Sequence, residues 1–261
     1  MKLNRILAVI LRYLFFFRKS LDRLVDAFYW PALDLLLWGI TSLYFTKNIS
    51  DASSFIMLIV SGIVFWIIVY RGQYEISGNL LEDLWNRNLV NMFVAPLKFS
   101  EWISAFLILG VIKAALSFSF AIFLAFILYK VQIFSYGFYI LPFVFLLILT
   151  GWTMGFLIAG LILRFGTKVQ AFAWTVVWII APFSAIYYPL SVLPDWAQKI
   201  SLLVPTSYVF EGLREVIERG TIDPNKIIVS FFLSILYLTL SMFFLKKSFN
   251  KVLEKGLIRL Y

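Results

Sequence analysis

Long apolar runs, separated by shorter polar segments, dominate the chain. Six of these runs are long enough to cross a bilayer, because a helix needs about 20 mostly apolar residues to span a hydrocarbon core of roughly 30 Å. They cover about residues 28–46, 54–71, 102–129, 131–163 (with the span beginning near Pro142), 169–188 and 227–245. The pattern predicts an all-α integral membrane protein with six transmembrane helices, in one domain over residues 1–261.

The first 27 residues mix basic and apolar positions. Lys2, Arg5, Arg12, Arg18 and Lys19 interrupt an otherwise Leu-, Ile- and Phe-rich sequence. Basic side chains at such positions can reach the headgroups while the apolar ones enter the lipid, which predicts an interfacial amphipathic helix. No small-residue cleavage site follows the apolar stretch, so we do not interpret it as a cleavable signal peptide.

The basic residues also predict the orientation. Six spans put both termini on one side, and 16 of the 23 Lys and Arg residues then fall on that side, with six on the other and Lys113 inside the third span. Basic residues favour the cytoplasmic side of a membrane. We therefore expect a multi-pass protein of the plasma membrane whose two termini, including the tail 246–261, are cytoplasmic.

Composition narrows the possible chemistry. The chain is 62% hydrophobic and 14% charged, and it contains no Cys and no His. These absences exclude disulfides, thiolate or histidine metal sites and Ser-His-Asp catalysis. No carboxylates converge in the sequence, so we predict no metal site and no catalytic residues, and a membrane-embedded enzyme is disfavoured. The net charge of +9 fits topology and membrane lipid headgroups better than nucleic acid.

A long polar segment, Glu75 to Trp102, follows the second span on the predicted cytoplasmic side. Apolar residues within it fall at helical spacing, and an outward-facing set is expected opposite them. The apolar residues are Leu80, Leu81, Leu84 and Trp85, and the outward-facing ones are Glu82, Asp83, Arg87 and Asn88. A short helix here that stops near Pro96 would suit docking of another protein. The alternative is a solvated interfacial hairpin with no partner.

A second organised segment, residues 189–225, lies on the predicted external side. Pro189, Pro194 and Pro205 break it into short helical pieces with an apolar side that includes Trp196. Thr206 or Ser207 is a plausible N-cap for the last piece. Helical pieces that re-enter a membrane partway would suit a gate, and the alternative is an amphipathic cap that only stabilises the outer face.

Two charged residues fall inside predicted spans. Asp34 lies near the start of the first span and Lys113 near the middle of the third. Such charges are costly in lipid, so they are expected to pair with each other or to line a wet path, unless Asp34 is simply interfacial and Lys113 snorkels to the headgroups. A stand-alone secondary transporter or channel would depend on these two residues.

The fourth span carries small residues four apart at Gly151, Gly155 and Ala159. Small residues on one face allow close approach of another helix. Packing within the chain and dimerisation both fit this pattern.

The whole pattern resembles the permease subunit of type-2 ATP-binding-cassette exporters, the ABC-2 membrane family. The stretch YPLSVLPDWAQKISLLVPTSYVFEGLRE carries most of the resemblance, supported by NRNLVNMFVAPLKFSEW and by YWPALDLLLWG at the first span. The resemblance covers nearly the whole chain. No GxxxxGK[ST] phosphate-binding loop is present in the sequence, so ATP would have to bind another chain.

The resemblance implies a complex of two copies of this permease with two ATP-binding subunits, which would bind the ATP and Mg. The helix around Glu82–Asn91 would couple to the ATPase, and the segment Pro189–Glu218 would form the external gate. The implied coupling residues are Glu82, Asp83, Leu84, Trp85, Arg87, Asn88 and Asn91, and the implied gate residues are Pro189, Pro194, Trp196, Pro205, Tyr208, Glu211 and Arg214. The substrate would be amphipathic, glycan, lipid or drug-like, and would leave from the cytoplasm or inner leaflet.

Overall fold

The computed structural model describes residues 1–46 and 52–255, and all regular secondary structure within these residues is helical. Lys47 and residues 256–261 of the predicted cytoplasmic tail lie outside the described residues. The α-helices are α1 (Leu3–Lys19), α2 (Leu21–Thr46), α3 (Ala52–Trp85), α4 (Leu89–Val94), α5 (Phe99–Tyr129), α6 (Ile140–Phe165), α7 (Phe172–Ile180), α8 (Asp195–Ser201), α9 (Pro205–Arg219) and α10 (Pro224–Lys255). Short 3-10 turns cover Ile133–Tyr139, Gly166–Val169, Ala181–Phe183 and Leu190–Val192.

Four helical segments are long and apolar enough to cross a membrane. They are Ser54–Trp85, Phe99–Tyr129, Ile133–Val169 and Pro224–Glu254. These four confirm the second, third, fourth and sixth predicted spans as spanning candidates, and they identify the chain as a membrane-type all-helical protein.

The first and fifth predicted spans are not among the helices that are long and apolar enough to cross a membrane. α2 is 26 residues long, but it is not among the helices that are apolar enough to span, and Asp34 lies within its most apolar stretch. The fifth predicted span is interrupted, since its apolar helix covers only Phe172–Phe183. Within this range α7 itself ends at Ile180, and Pro182 lies in the 3-10 turn Ala181–Phe183 that follows, where its ring prevents a regular helix from continuing.

The second span was predicted to end near residue 71, and this boundary is wrong. α3 runs without interruption for 34 residues, from Ala52 to Trp85. Arg71 and Glu75, which made the sequence look like a loop, are 1% and 2% exposed inside the helix bundle. Their charges are balanced by neighbours from other helices, so the helix can continue past them.

α3 lies at the centre of the bundle and packs against α2, α5 and α6. A Cβ built on Gly151 of α6 would lie 2.8 Å from the carbonyl oxygen of Val69 and 3.0 Å from Cα of Gly72. A Cβ on Gly155 would lie 2.9 Å from Cβ of Ile76. Gly151 and Gly155 of the fourth span are therefore used for close packing of α6 on α3 within the chain.

α1 is the predicted amphipathic N-terminal helix, and it packs against α5. Ile6, Val9, Ile10 and Tyr13 are buried on one side, whereas Leu7, Leu11 and Phe15 are exposed. The C-terminal part of α10 lies at the same end of the bundle, where Phe249 and Phe99 are in ring contact at 4.5 Å. We call this end the α1 end.

Candidate functional site

Buried carboxylates join α1 to the rest of the bundle, and one of them is Asp83. Asp83, near the end of α3, is 2% exposed. It accepts hydrogen bonds from Arg12 Nη2 at 2.8 Å, from the Tyr13 hydroxyl and from Asn88 Nδ2 at 3.0 Å. Burial and the neighbouring Asp83 charge raise the pKa of Tyr13 well above its usual value, so the phenol remains a neutral donor. The expectation that Asp83 faces outward is wrong, because α1 covers it.

The other predicted coupling residues divide between buried and exposed positions. Leu84 is 1% exposed, and Glu82 is half-buried and forms an ion pair with Arg23. Asn88 is half-buried beside Asp83. Exposed side chains at the turn between α3 and α4 form a surface that we call the docking corner. It consists of Trp85, Asn86, Arg87, Asn91 and Val94.

The docking corner has a defined local geometry. Arg87 has a φ of 52°, the left-handed region that a non-glycine residue adopts mainly at turns, and the chain reverses there between α3 and α4. Trp85 stacks on Trp174 with ring centroids 6.0 Å apart, and its Nε1 donates to Gln170 Oε1 at 3.2 Å. These contacts fix an exposed indole against the first turn of α7 and the segment before it.

Lys113 does not pair with Asp34. Its Nζ lies 2.5 Å from Glu75 Oε2, and Asn79 Nδ2 donates to the same oxygen at 3.0 Å. Arg71 lies 3.8 Å from Glu75 Oε1 and 2.6 Å from Oδ2 of Asp26 on α2. The result is a buried chain of alternating charges that joins α2, α3 and α5.

This charge network borders a polar cavity of about 360 Å³. The lining includes Arg71, Glu75 and Lys113, and extends to Trp85 and Asn86 at the docking corner. The sequence did not reveal the network, because Arg71 and Glu75 were predicted to lie beyond the end of the second span. The buried Lys113 was the only signal that an acidic partner was needed nearby.

A second cavity, of about 410 Å³, lies next to the first and shares Asp26 and Trp174 with it. Six aromatic side chains dominate its lining, and Asp34 lies among them. The aromatic lining residues are Trp30, Trp66, Tyr70, Trp174, Trp178 and Tyr187. Asp34 and Lys113 therefore line two neighbouring cavities.

The opposite end of the bundle carries the segment that was predicted as a gate. Arg214 of α9 is 9% exposed and donates to Glu211 Oε1 at 3.0 Å and to the carbonyl oxygen of Ala185 at 2.5 Å. Glu211 also accepts the backbone N–H of Leu190, just after Pro189, at 2.9 Å. Burial lowers the pKa of Arg214, and the Glu211 charge opposes this effect. These bonds tie α9 to the chain that follows α7.

The remaining residues that were predicted to form the gate lie around α8 and α9. Pro194 precedes α8, and Trp196 is 62% exposed with its ring 6.2 Å from that of Phe183. The carbonyl oxygen of Pro205 accepts from Ser230 Oγ of α10 at 2.9 Å, and the Tyr208 hydroxyl donates to Leu202 O at 2.9 Å.

The predicted N-cap of α9 is wrong. Pro205 occupies the first helical position, after Val204, because proline suits a position whose N–H would have no partner. Thr206 Oγ1 instead donates to Ser184 Oγ at 2.7 Å, and Ser207 Oγ donates to Ser201 O at 2.7 Å.

No protein-family model matches the chain, and no curated protein is significantly similar to it.

Proposed function

We propose that this chain is the membrane-spanning subunit of an ATP-driven exporter of the ABC-2 type, with ATP and Mg bound by a separate subunit. Two copies of the chain and two ATP-binding subunits would form the complex in the plasma membrane. Both termini would be cytoplasmic, and the substrate would be amphipathic, glycan, lipid or drug-like. The chain itself would bind no nucleotide.

The observation that best supports this proposal is the continuity of α3. Its 34 residues span about 50 Å and connect the two ends of the bundle. In the first half of α3, Trp66 is in ring contact with Phe210 of α9 at 6.1 Å, and a Cβ on Gly62 would lie 2.6 Å from Ile186 O. At its C-terminal end, α3 carries Asp83 and Trp85. A rigid helix in contact with both segments is suited to transmit a movement from one to the other.

The docking corner supports an interaction with another protein. It offers an exposed Trp and Arg, residue types that are enriched in protein interfaces. Val94 is 79% exposed beside them. The buried bonds of Asp83 hold this surface against α1, so a force applied at the corner would reach the whole α1 end rather than a loop.

Six crossings require α2 and the α7 region to span as well. α2 is long enough, at about 39 Å, and two of its carboxylates lie against protein, Asp26 beside Arg71 and Asp34 in the aromatic cavity. The short helix Phe172–Phe183 would complete its crossing through the turns before α8, with α8 and α9 set into the outer leaflet. The aromatic cavity and the polar cavity would then form one side of a path.

A second copy of the chain would pack on exposed apolar residues of α2 and α7. Leu37, Ile40 and Tyr44 on α2 are 57%, 60% and 69% exposed, and Ile179 on α7 is 61% exposed. These side chains belong to α2 and α7, two of the three helices that line the aromatic cavity. A second copy that packed on them would enclose the path between the two chains.

The test is co-purification of the tagged chain with the ATP-binding subunit expressed from the same operon, followed by an ATPase assay in lipid. The proposal expects a complex of two permeases and two ATPases whose activity responds to substrate. A chain that purifies alone from several lipids, and that transports in response to a proton or sodium gradient, would replace it with the stand-alone transporter.

A further inference from the structure

We propose that the aromatic cavity is a binding site for a lipophilic organic cation, with Asp34 as its counter-ion. The ligand class is an ammonium or phosphonium that carries aromatic or alkyl groups. This inference deepens the proposed function by naming a substrate class and rests on it for transport. The binding site itself does not depend on an ATPase.

The charge of the lining supports a cation. Asp26 and Asp34 are the two charged residues among the described residues that line the cavity, and both are acidic. The carboxylate of Asp26 is paired with Arg71, at 2.6 Å. For Asp34, no hydrogen bond or ion pair is formed with any residue in 1–46 or 52–255. A half-buried carboxylate without a partner in an apolar surrounding is costly, and a bound cation would compensate that cost.

The aromatic side chains support a cation with apolar groups. Tyrosine and tryptophan rings attract a cation that lies within about 6 Å of the ring centroid. Tyr187 is held by stacking on Trp38, with ring centroids 4.5 Å apart. Trp66 is 4% exposed and forms a fixed inner wall, whereas Trp30 and Trp178 are 51% and 45% exposed at the opening. The cavity volume of about 410 Å³ suits a ligand with several rings, since small-molecule sites usually measure about 300–1,000 Å³.

A lipid headgroup with an ammonium has the same charge, but it fits the lining less well. A phosphatidylethanolamine headgroup is small and carries a phosphate, and no basic side chain is present among the described lining residues to receive that phosphate. The six aromatic rings would also remain largely without contacts. We therefore assign the site to a lipophilic cation rather than to a lipid.

The experiment uses the purified full chain in dodecyl maltoside, a detergent without charge. Binding of radiolabelled tetraphenylphosphonium is measured by equilibrium dialysis and compared with tetraphenylborate, which has the same shape and the opposite charge. We expect saturable binding of the phosphonium and none of the borate. Equal binding of the two ions would overturn the proposal, because it would show partition into apolar surface alone.

Two variants test the assigned residues. Asp34→Asn keeps the side-chain size but removes the negative charge. It is expected to weaken phosphonium binding by about tenfold, because one charge partner is lost while the cation–π contacts with the aromatic rings remain. Trp178→Ala, at the half-exposed opening, is expected to weaken binding while the thermal unfolding midpoint stays unchanged. Glu254→Gln removes an exposed carboxylate far along α10 and serves as the matched control, with wild-type binding expected. Wild-type affinity in a folded Asp34→Asn protein would overturn the assignment.

A competition experiment with lipids distinguishes a lipid headgroup from a lipophilic cation as the ligand of this site. Added phosphatidylethanolamine should compete no better than phosphatidylglycerol; displacement by the ethanolamine lipid alone would assign the site to a headgroup instead. The outcome is also separable from the proposed function. Asp34-dependent binding in a chain with no ATPase partner would support the binding site and contradict the exporter function. An active ATPase complex that does not bind the phosphonium would support the exporter function and contradict the binding site.

Discussion

The ammonium of Lys113 on α5 lies 2.5 Å from Oε2 of Glu75 on α3, and the two residues are 4% and 2% exposed. Glu75 has additional polar and charged neighbours, whereas the further neighbour of Lys113 is an aromatic ring. Glu75 also accepts a hydrogen bond from Asn79 Nδ2 at 3.0 Å and lies 3.8 Å from Arg71, whereas the Nζ of Lys113 lies 5.0 Å from the ring of Phe17. Loss of one partner should therefore affect the two residues differently.

We expect Glu75→Gln to destabilise the protein more than Lys113→Met. The first change leaves a buried ammonium without its carboxylate, and breaking a buried pair in this way costs about 3–5 kcal/mol. The second leaves Glu75 with Arg71 and Asn79, so a smaller loss is expected. Thermal unfolding in detergent measures both, and the double variant should be more stable than the sum of the single effects indicates. Equal single effects that add in the double variant would show that the pair is not coupled.

This pair also shows how much of the fold the sequence could predict. Lys113 was identified as a charge inside a span from its position alone, but Glu75 was placed in a cytoplasmic loop because the apolar run ends near Arg71. The hydropathy of one segment does not show whether its charges are neutralised by residues of other helices. Here Asp26 of α2 neutralises Arg71, and Lys113 of α5 neutralises Glu75. The same limitation placed Asp83 on the surface, since the sequence does not show that Arg12 and Tyr13 of α1 cover it.

Local chemistry was predicted better where one segment determines it. The prolines 189, 194 and 205 do separate short helical pieces, because a proline ring acts on its own neighbours. The amphipathic α1 was likewise predicted from its own residues. The aromatic cavity could not be predicted, because it combines side chains from α2, α3 and α7 that are far apart in sequence.

Gly151 should be less tolerant of a side chain than Gly110. A Cβ at Gly151 would lie 2.8 Å from the backbone oxygen of Val69, so α6 and α3 would have to move apart, at a cost of about 1–3 kcal/mol. At Gly110 the nearest heavy atom would be 3.6 Å away, an ordinary contact, and alanine is the better helix former by about 1 kcal/mol. Gly151→Ala should lower the unfolding midpoint and Gly110→Ala should maintain or raise it. A reversed order would contradict the packing of α6 on α3.

Arg87→Glu should weaken association with the ATP-binding subunit without unfolding the protein. Arg87 is exposed at the docking corner, and reversal of a rim charge at an interface is expected to cost about tenfold in affinity. Pull-down with the tagged ATPase measures association, and thermal unfolding confirms the fold. Lys130→Glu makes the same charge change at the opposite end of α5 and should leave association intact.

Asp83→Asn provides the complementary test of the docking corner. It removes the charge that Arg12, Tyr13 and Asn88 share, so stability and association should fall together. Hydrogen exchange in α1 should increase in this variant and remain unchanged in Arg87→Glu. Unchanged pull-down with a folded Arg87→Glu protein would move the ATPase contact away from the docking corner.

The chain lacks cysteine, so single cysteine variants can report the proposed topology directly. Trp196 on α8 is 62% exposed, and Asn91 is exposed at the α1 end. A membrane-impermeant maleimide added to intact cells should label Trp196→Cys and should label Asn91→Cys only after permeabilisation, because six crossings place these residues on opposite sides. Leu84→Cys, which is buried at the α1 end, should react slowly under both conditions. Labelling of Asn91→Cys in intact cells would invert the orientation, place the docking corner outside the cell, and remove the proposed contact with a cytoplasmic ATPase.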